Sequence, residues 1–303
     1  MIRNKIIILF VALQVCCLEA IAQQEFMLTH YMFNGLAINP AYTGIHDGIS
    51  TSFLFREQWV GFDGAPSTQV ASIHSPVPNR NIGLGALFYR DQLGLSSEYG
   101  ALLSYAYRIR IGHRAQLSMG LRVSNHHYQI KYEALNQSPN DFEGFGSQNQ
   151  MLWNAGVGVL LHMDRAYFGI SSPQLLHQKL EIGYADGRFT QRVRHYYVTA
   201  GYVFDWGRYL VLKPNLLVKG VEGAPWQLDL NLNALINSLV WVGVSYRSMD
   251  SIDGLIGLQI DPNLSVSYAT DFTLTSVASS SHEIMVNYVF NLPGQKILTP
   301  RYF

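Results

Sequence analysis

Residues 226–233 read WQLDLNLN, with Trp226, Leu228, Leu230 and Leu232 apolar and Gln227, Asp229, Asn231 and Asn233 polar. Successive side chains of a strand point to opposite faces, so this segment has one apolar and one polar face. The alternation recurs elsewhere. Ile82, Leu84, Ala86 and Phe88 alternate with Gly83 and Gly85, and Ile284, Val286, Tyr288 and Phe290 alternate with Glu283 and Asn287. Two folds of opposite sense satisfy such a pattern. A soluble sandwich turns the leucines inward, whereas a membrane barrel turns them to lipid and gives its lumen the polar set.

The rest of the chain favours the barrel. Arg3 and Lys5 precede an apolar run from Ile6 to Leu18, and Ala20-Ile21-Ala22 supplies a small-residue cleavage pattern. This reads as an export signal spanning 1–22, cleaved after Ala22, too short to cross a bilayer as a helix. Both cysteines, Cys16 and Cys17, fall inside it, and Val15 before the first argues against a lipoprotein. The mature chain is therefore cysteine-free and holds no disulfide. No later apolar run reaches the length of a membrane helix. Charged residues make up 14% of the chain, against about 25% in soluble domains. Removing Arg3, Lys5 and Glu19 from 21 basic and 21 acidic residues leaves a net charge of −1, which offers no field for nucleic acid. Lipid admits only helices and closed barrels. A soluble sandwich explains neither the low charge nor the 18 tyrosines.

The fold expected is all-β: a transmembrane antiparallel β-barrel of the outer membrane with about 14 strands. The alternation predicts strands over 48–59, 67–75, 81–89, 97–109, 114–129, 150–162, 165–171, 191–204, 209–219, 226–235, 239–246, 253–260, 264–271 and 282–290. Every second gap is short and built from turn residues, as in PVPNR (76–80), DWGR (205–208) and DPN (261–263). Gaps 130–149, 172–190 and 272–281 are longer. Short periplasmic turns alternating with longer outer loops are the outer-membrane pattern. Trp59, Tyr89, Tyr107, Trp153, Tyr167, Trp206 and Tyr246 fall near strand ends, where interfacial girdles form. Pro214 interrupts the ninth strand and calls for a bulge or local fray. The barrel occupies 48–290, between an N-terminal periplasmic or plug segment (23–47) and a periplasmic tail (291–303). An even strand count returns both ends of the barrel to the periplasm.

No specific catalytic or metal motif stands out, so the chain is read as a non-enzyme without cofactors. His126 and His127 point to opposite faces of a strand and cannot chelate one ion. There is no G-x-S-x-G elbow and no phosphate loop. A Ser/His or Asp/His site assembled across strands inside the lumen is a form of catalysis that spacing does not reveal. Two stretches are unlike barrel wall. YMFNGLAINPAYTG (31–44) has no period, carries turn signals, and is too aromatic for a loose tether. Tyr31, Phe33, Asn34, Asn39, Pro40, Tyr42 and Gly44 are its candidate plug or docking residues. REQWVGFDGAP (56–66) spans the first strand's end and first outer loop, with Arg56, Gln58, Trp59, Gly61, Phe62, Gly64 and Pro66 as candidates; an inward Arg56 would pair with a lumenal carboxylate. Asp229, Asn231 and Asn233 are expected to line the lumen.

These stretches carry a family resemblance. YMFNGLAINPAYTG (31–44), REQWVGFDGAPSTQ (56–69), FGISSPQLL (168–176), RHYYVTAGYVF (194–204), LKPNLLVK (212–219), WVGVSYR (241–247), SHEIMVNYVF (281–290) and PRYF (300–303) resemble the PorP/SprF family, outer-membrane proteins of type IX secretion in Bacteroidetes. The resemblance implies a barrel in the outer membrane that binds components of the secretion machinery, or exports and anchors a large surface adhesin of the gliding type. It implies protein and lipid partners, no small-molecule substrate and no catalytic residues. The alternative is a small-solute diffusion channel or transporter lined by Asp229, Asn231 and Asn233.

Overall fold

The computed structural model describes residues 27–112, 114–131, 147–180, 190–207, 209–248, 250–274 and 280–292. The leader, the tail beyond residue 292, and residues 132–146 and 181–189 of the two long loops lie outside them.

The face of WQLDLNLN that meets solvent or lipid is the apolar one. Trp226 is 66% exposed, and Leu230 and Leu232 are 48% and 47% exposed, whereas Asp229, Asn231 and Asn233 are at most 4% exposed. The same inversion holds at Leu84, Phe88 and Ile284, all exposed, and at Glu283, which is buried. A chain with leucines outside and carboxylates inside is built for a lipid surround.

The strands are β1 Ile49–Glu57, β2 Ser67–Pro76, β3 Ile82–Leu93, β4 Ser96–Ile111, β5 Ala115–Ile130, β6 Gln148–Met163, β7 Ala166–Gln174, β8 Gln178–Leu180, β9 Thr190–Arg192, β10 His195–Tyr202, β11 Phe204–Trp206, β12 Leu210–Val221, β13 Gln227–Ile236, β14 Val240–Arg247, β15 Ser251–Gln259, β16 Leu264–Thr273 and β17 Ser281–Phe290. All but β8 and β9, which pair only with each other, belong to one antiparallel sheet. It closes where β1 pairs with β17, and β10 pairs with both β7 and β12. β10 and β11 are two halves of one wall strand, so the closed barrel has 14 strands. Among the described residues no helix is long and apolar enough to cross a membrane; the strands do the crossing.

Tight turns close one rim at 77–81, 112–114, 164–165, 207–209, 237–239 and 260–263. By the usual asymmetry this is the periplasmic rim. On the outer side β3 and β4 are joined by only Gly94 and Leu95, and the seventh gap holds the small β8–β9 hairpin, which the alternation did not announce.

Two expectations are corrected. Tyr89 and Tyr167 are not girdle residues; they are 7% and 6% exposed and point into the lumen, on the inward parity of β3 and β7. Trp59, Tyr107, Trp153, Trp206 and Tyr246 are exposed. Nor does Pro214 bend its own strand: β12 pairs through Pro214↔Leu232 without a register shift. The lapse falls on the neighbour. β10 pairs with β12 as far as Gly201↔Asn215 and β11 resumes at Phe204↔Leu212, which leaves Tyr202 and Val203 opposite Pro214 and Lys213. The donor that proline lacks faces that interruption.

The lumen is occupied. Residues 27–48 form turns, a short helix α1 (Gly35–Ile38) and a turn of 3-10 helix (Pro40–Tyr42), and they lie inside the wall. Leu28, Thr29, His30, Tyr31, Asn34, Leu36, Asn39, Ala41, Tyr42 and Thr43 are all at most 8% exposed.

Candidate functional site: the filled lumen

The first described residues of this plug meet the outer ends of β16, β17 and β1. Arg56 Nη1 donates to Glu283 Oε2 at 3.1 Å and to Thr29 Oγ1 at 3.0 Å, and its Nη2 pairs with Asp271. Thr29 Oγ1 donates to Asp271 at 2.8 Å, while the backbone N–H groups of Thr29 and His30 donate to Glu283 at 2.9 and 2.8 Å. The His30 ring lies against the same carboxylate. Arg56 and Glu283 are also register partners across the β1–β17 pairing. Arg56, Asp271 and Glu283 are at most 2% exposed, so each charge depends on the others for the solvation that water would give. A second cluster follows on β13–β15, where Arg247 meets Asp229 at 3.1 Å, Asp250 at 3.3 Å and Asp253 at 3.6 Å. Tyr31 lies beside Asp229.

Further along, the wall donates and the plug accepts. Arg122 reaches the carbonyls of Leu36 and Ala37, the last at 3.1 Å. Ser171 donates to Ile38 at 2.7 Å, Ser118 to Ala41 at 2.7 Å and Lys213 to Met32 at 3.4 Å; Arg108 reaches Gly44. These bonds satisfy carbonyls at the ends of helical turns too short to satisfy their own. The inner wall is thus divided: Glu283 on β17 takes the plug's first N–H groups and Asp271 on β16 the Thr29 hydroxyl, while bases and hydroxyls on β4, β5, β7 and β12 take its carbonyls.

Side chains complete the seat. The Phe33 ring packs edge-on against Trp241 with centroids 5.3 Å apart, and Lys213 Nζ stands 5.3 Å from the Phe33 centroid. Tyr42 packs edge-on against Tyr167 at 6.0 Å. Asn39 accepts from Ala41 N at 2.8 Å, opening the 3-10 turn, and donates to Val159 O at 3.2 Å. Asn34 precedes α1 without a capping bond from its side chain. Gly44 has φ +70° and donates to His74 Nδ1 at 3.2 Å. Close approach explains two wall glycines: a Cβ on Gly120 would strike the Pro40–Ala41 backbone, and one on Gly158 would strike the Asn39 side chain.

The residues singled out by sequence therefore separate. Tyr31, Phe33, Asn34, Asn39, Pro40, Tyr42 and Gly44 lie together in the lumen, and only the last of them reaches the periplasmic mouth. Of the 56–66 stretch, Arg56 alone points inward to them. Gln58, Trp59, Gly61, Phe62, Gly64 and Pro66 build the outer-rim turn, with Gln58 N bonded to Pro66 O and Gly94 N to Gly64 O, both at 2.9 Å, and φ positive at Trp59, Gly61 and Gly64. Asp229 joins the Arg247 cluster. Asn231 accepts from Asn215 at 3.1 Å and donates to Ser245 at 2.8 Å, and Asn233 donates to Asn231. Missed by sequence were Thr29, His30, Arg122, Lys213, Arg247, Asp271 and Glu283. Their signal was a charge, or the unflagged pair just before Tyr31, on the inward parity of a charge-poor strand or beside the motif.

A Ser/His/Glu grouping does assemble on one inner face. Ser124 Oγ lies 2.9 Å from His126 Nε2, and Glu98 and the Tyr89 hydroxyl lie 3.2 and 2.7 Å from His126 Nδ1. Glu98 is also paired with Arg192 of β9 at 3.0 Å. The backbone around Ser124 is committed to pairing with β4 and β6. These contacts tie β3, β4, β5 and β9 together.

A family model described as type IX secretion system membrane protein PorP/SprF matches residues 20–288. The chain belongs to this family. It is a PorP/SprF barrel of the outer membrane, associated with type IX secretion. No curated protein matches the chain significantly. Among solved structures, the Ralstonia pickettii toluene transporter TbuX is similar to this PorP/SprF chain with a TM-score of 0.51 at 10% identity, over 86% of this chain and 93% of that one. The CymD monoaromatic hydrocarbon channel gives 0.51 at 13% identity over 86% and 93%, and a Pseudomonas aeruginosa FadL homologue 0.50 at 12% over 86% and 94%. At these identities the likeness is one of fold.

Proposed function

We propose that this PorP/SprF barrel serves type IX secretion as a sealed docking scaffold: it binds machinery components at the periplasmic rim and exports or anchors a large surface adhesin at the outer rim. The observation that carries this reading is the lumen filled by residues 28–45. A pore meant for free diffusion would hold water there, whereas here plug and wall exchange buried hydrogen bonds and ion pairs along the whole segment. Such a wall offers partners its two rims rather than a channel.

The second reading is a small-solute channel. It draws support from the similar structures, a toluene transporter and a monoaromatic hydrocarbon channel among them, and from the polar set Asn215, Asn231 and Asn233 on the inner wall. It requires the plug to leave or part.

Deletion of the gene in its native host, followed by mass spectrometry of surface and secreted proteins, tests the proposal. Loss of one large adhesin means a dedicated export or anchoring partner, and loss of all type IX cargo means a place in the core machinery. An unchanged surface overturns both, and single-channel conductance of the purified protein then measures the channel reading.

A further inference from the structure

The lipid face of the wall is nearly free of charge, and Arg90 breaks that pattern. Among the described residues it is the one lysine or arginine on the outward parity of a wall strand; Arg56, Arg122, Lys213 and Arg247 all stand on the inward parity. Arg90 is exposed and takes part in no ion pair among the described residues. Its Nη2 donates to Gln92 Oε1 at 2.9 Å, and the guanidinium stands 5.8 Å from the centroid of the Tyr99 ring. No other group among the described residues takes its remaining donors. A cation turned toward lipid is costly unless it reaches the interface or meets a counter-charge there. Arg90 is the fourth residue from the outer end of β3, beside Tyr99 and in one register row with Phe55, aromatics of the kind that mark headgroup level.

Arg90 also flanks a furrow. Across β1, β2 and β3 the register sets Phe53, Ala71 and Phe88 in one row, and Phe55, Gln69 and Arg90 in the next row toward the cell surface. The phenyl rings stand out from the wall and the Ala71 methyl does not, which leaves a groove of about 490 Å³ along β2. Ile73 stands out at its periplasmic end. Ile284 and Val286 of β17 extend its apolar side, so the groove lies against the seam where the barrel closes.

We propose that this groove seats a single phosphate-bearing lipid of the outer leaflet, with one acyl chain lying along β2 and the phosphate held by Arg90. Shape and charge together choose the occupant. β1 and β3 are two strand spacings apart, about 10 Å between backbones, and the phenyl rings on both sides narrow that further. A helix with its side chains is about 10–12 Å across and does not enter, whereas one extended hydrocarbon chain does. Strands cross the membrane from rim to rim, so a groove along β2 runs in the sense in which acyl chains run. At its cell-surface end a guanidinium can meet a phosphate through paired N–H···O bonds. The phosphate supplies the counter-charge that the protein does not give Arg90.

The test uses the full-length protein, extracted from outer membranes into a mild detergent and freed of lipid by exchange. Native mass spectrometry then reads the adducts formed with two probes at equal concentration: diphosphoryl lipid A, and the same lipid with its phosphates removed. The expected result is one retained lipid per barrel, with the phosphorylated probe held roughly tenfold better or more. Arg90→Gln should hold both probes alike, at the level of the dephosphorylated one. Ala71→Phe fills the groove and keeps the arginine, and should lower binding of the phosphorylated probe by roughly tenfold or more. Equal retention of the two probes by the native protein overturns the proposal, as does a phosphorylated adduct that either variant leaves unchanged. A dimer mass that Ala71→Phe abolishes assigns the groove to a second copy of the chain and overturns it too. Heat-modifiable migration reports whether each variant has folded, and Ala71→Leu replaces an Ala71→Phe protein that has not.

Discussion

Replacing Arg56 with methionine removes a cation while keeping most of its volume. In the native lumen Arg56 faces Asp271 and Glu283, and all three are at most 2% exposed. Methionine leaves two carboxylates in a space without bulk water. Glu283 keeps the Thr29 and His30 N–H groups and the His30 ring; Asp271 keeps Thr29 Oγ1. Removing one member of a buried ion pair costs about 3–5 kcal/mol, mostly the penalty of the charge left behind. At 1.4 kcal/mol per tenfold, opening of the plug's outer end becomes commoner by about two to nearly four orders of magnitude. Hydrogen exchange of the 28–34 amides in the purified barrel measures this directly, with the 39–43 amides as an internal reference. The triple variant Arg56→Met, Asp271→Asn, Glu283→Gln carries no orphaned charge and is expected to regain most of the protection. If Arg56→Met protects the 28–34 amides as well as the native protein does, the cluster does not hold the plug and the reasoning fails.

Other substitutions test other parts of the structure. Gly120→Val places side-chain atoms where the Pro40–Ala41 backbone sits, and since backbone yields little, the plug should shift; faster exchange at 39–43 and a lower unfolding temperature are expected, by at least the 1–3 kcal/mol typical of about one overpacked site. Phe33→Ala empties the space between Trp241 and Lys213, costs about 3 kcal/mol, and should shift Trp241 emission to longer wavelength. Leu232→Lys puts a charge on the lipid face near mid-strand and should cost about 2–4 kcal/mol in reversible unfolding from vesicles. The same measurement on an exposed rim residue, Asp63→Lys, should show little change.

Why the wall was legible and the lumen only partly so follows from what alternation encodes. A strand residue's parity states its face, and lipid on one side makes that statement nearly free of exceptions, so Leu230 and Asn231 could be placed from a single octapeptide. Parity also carried the information that places Tyr89 and Tyr167 inside: both lie on inward positions, and only their nearness to strand ends suggested a girdle. What parity cannot express is which inward groups meet. Arg56 and Glu283 are 227 residues apart in the chain and become neighbours only because the sheet closes. The β8–β9 hairpin is three residues a side, too short to show a period. Pro214 was read correctly as a missing donor, but a sequence does not say which of two neighbouring strands gives way. The aromatic, aperiodic 31–44 stretch stood out because it fits neither wall nor tether, though its partners on eight different strands had no signature of their own.

Arg56 and Glu283 are paired across the junction of the first strand with the last, and the same two side chains grip Thr29 and His30. The stretch that enters the barrel is also the stretch that precedes its first strand. Sealing the cylinder and seating its contents are therefore one event. A junction zipped two residues out of step would strand an arginine, two carboxylates and a pair of amides without partners, all at once. A barrel closed in register has, by the same contacts, closed around its plug.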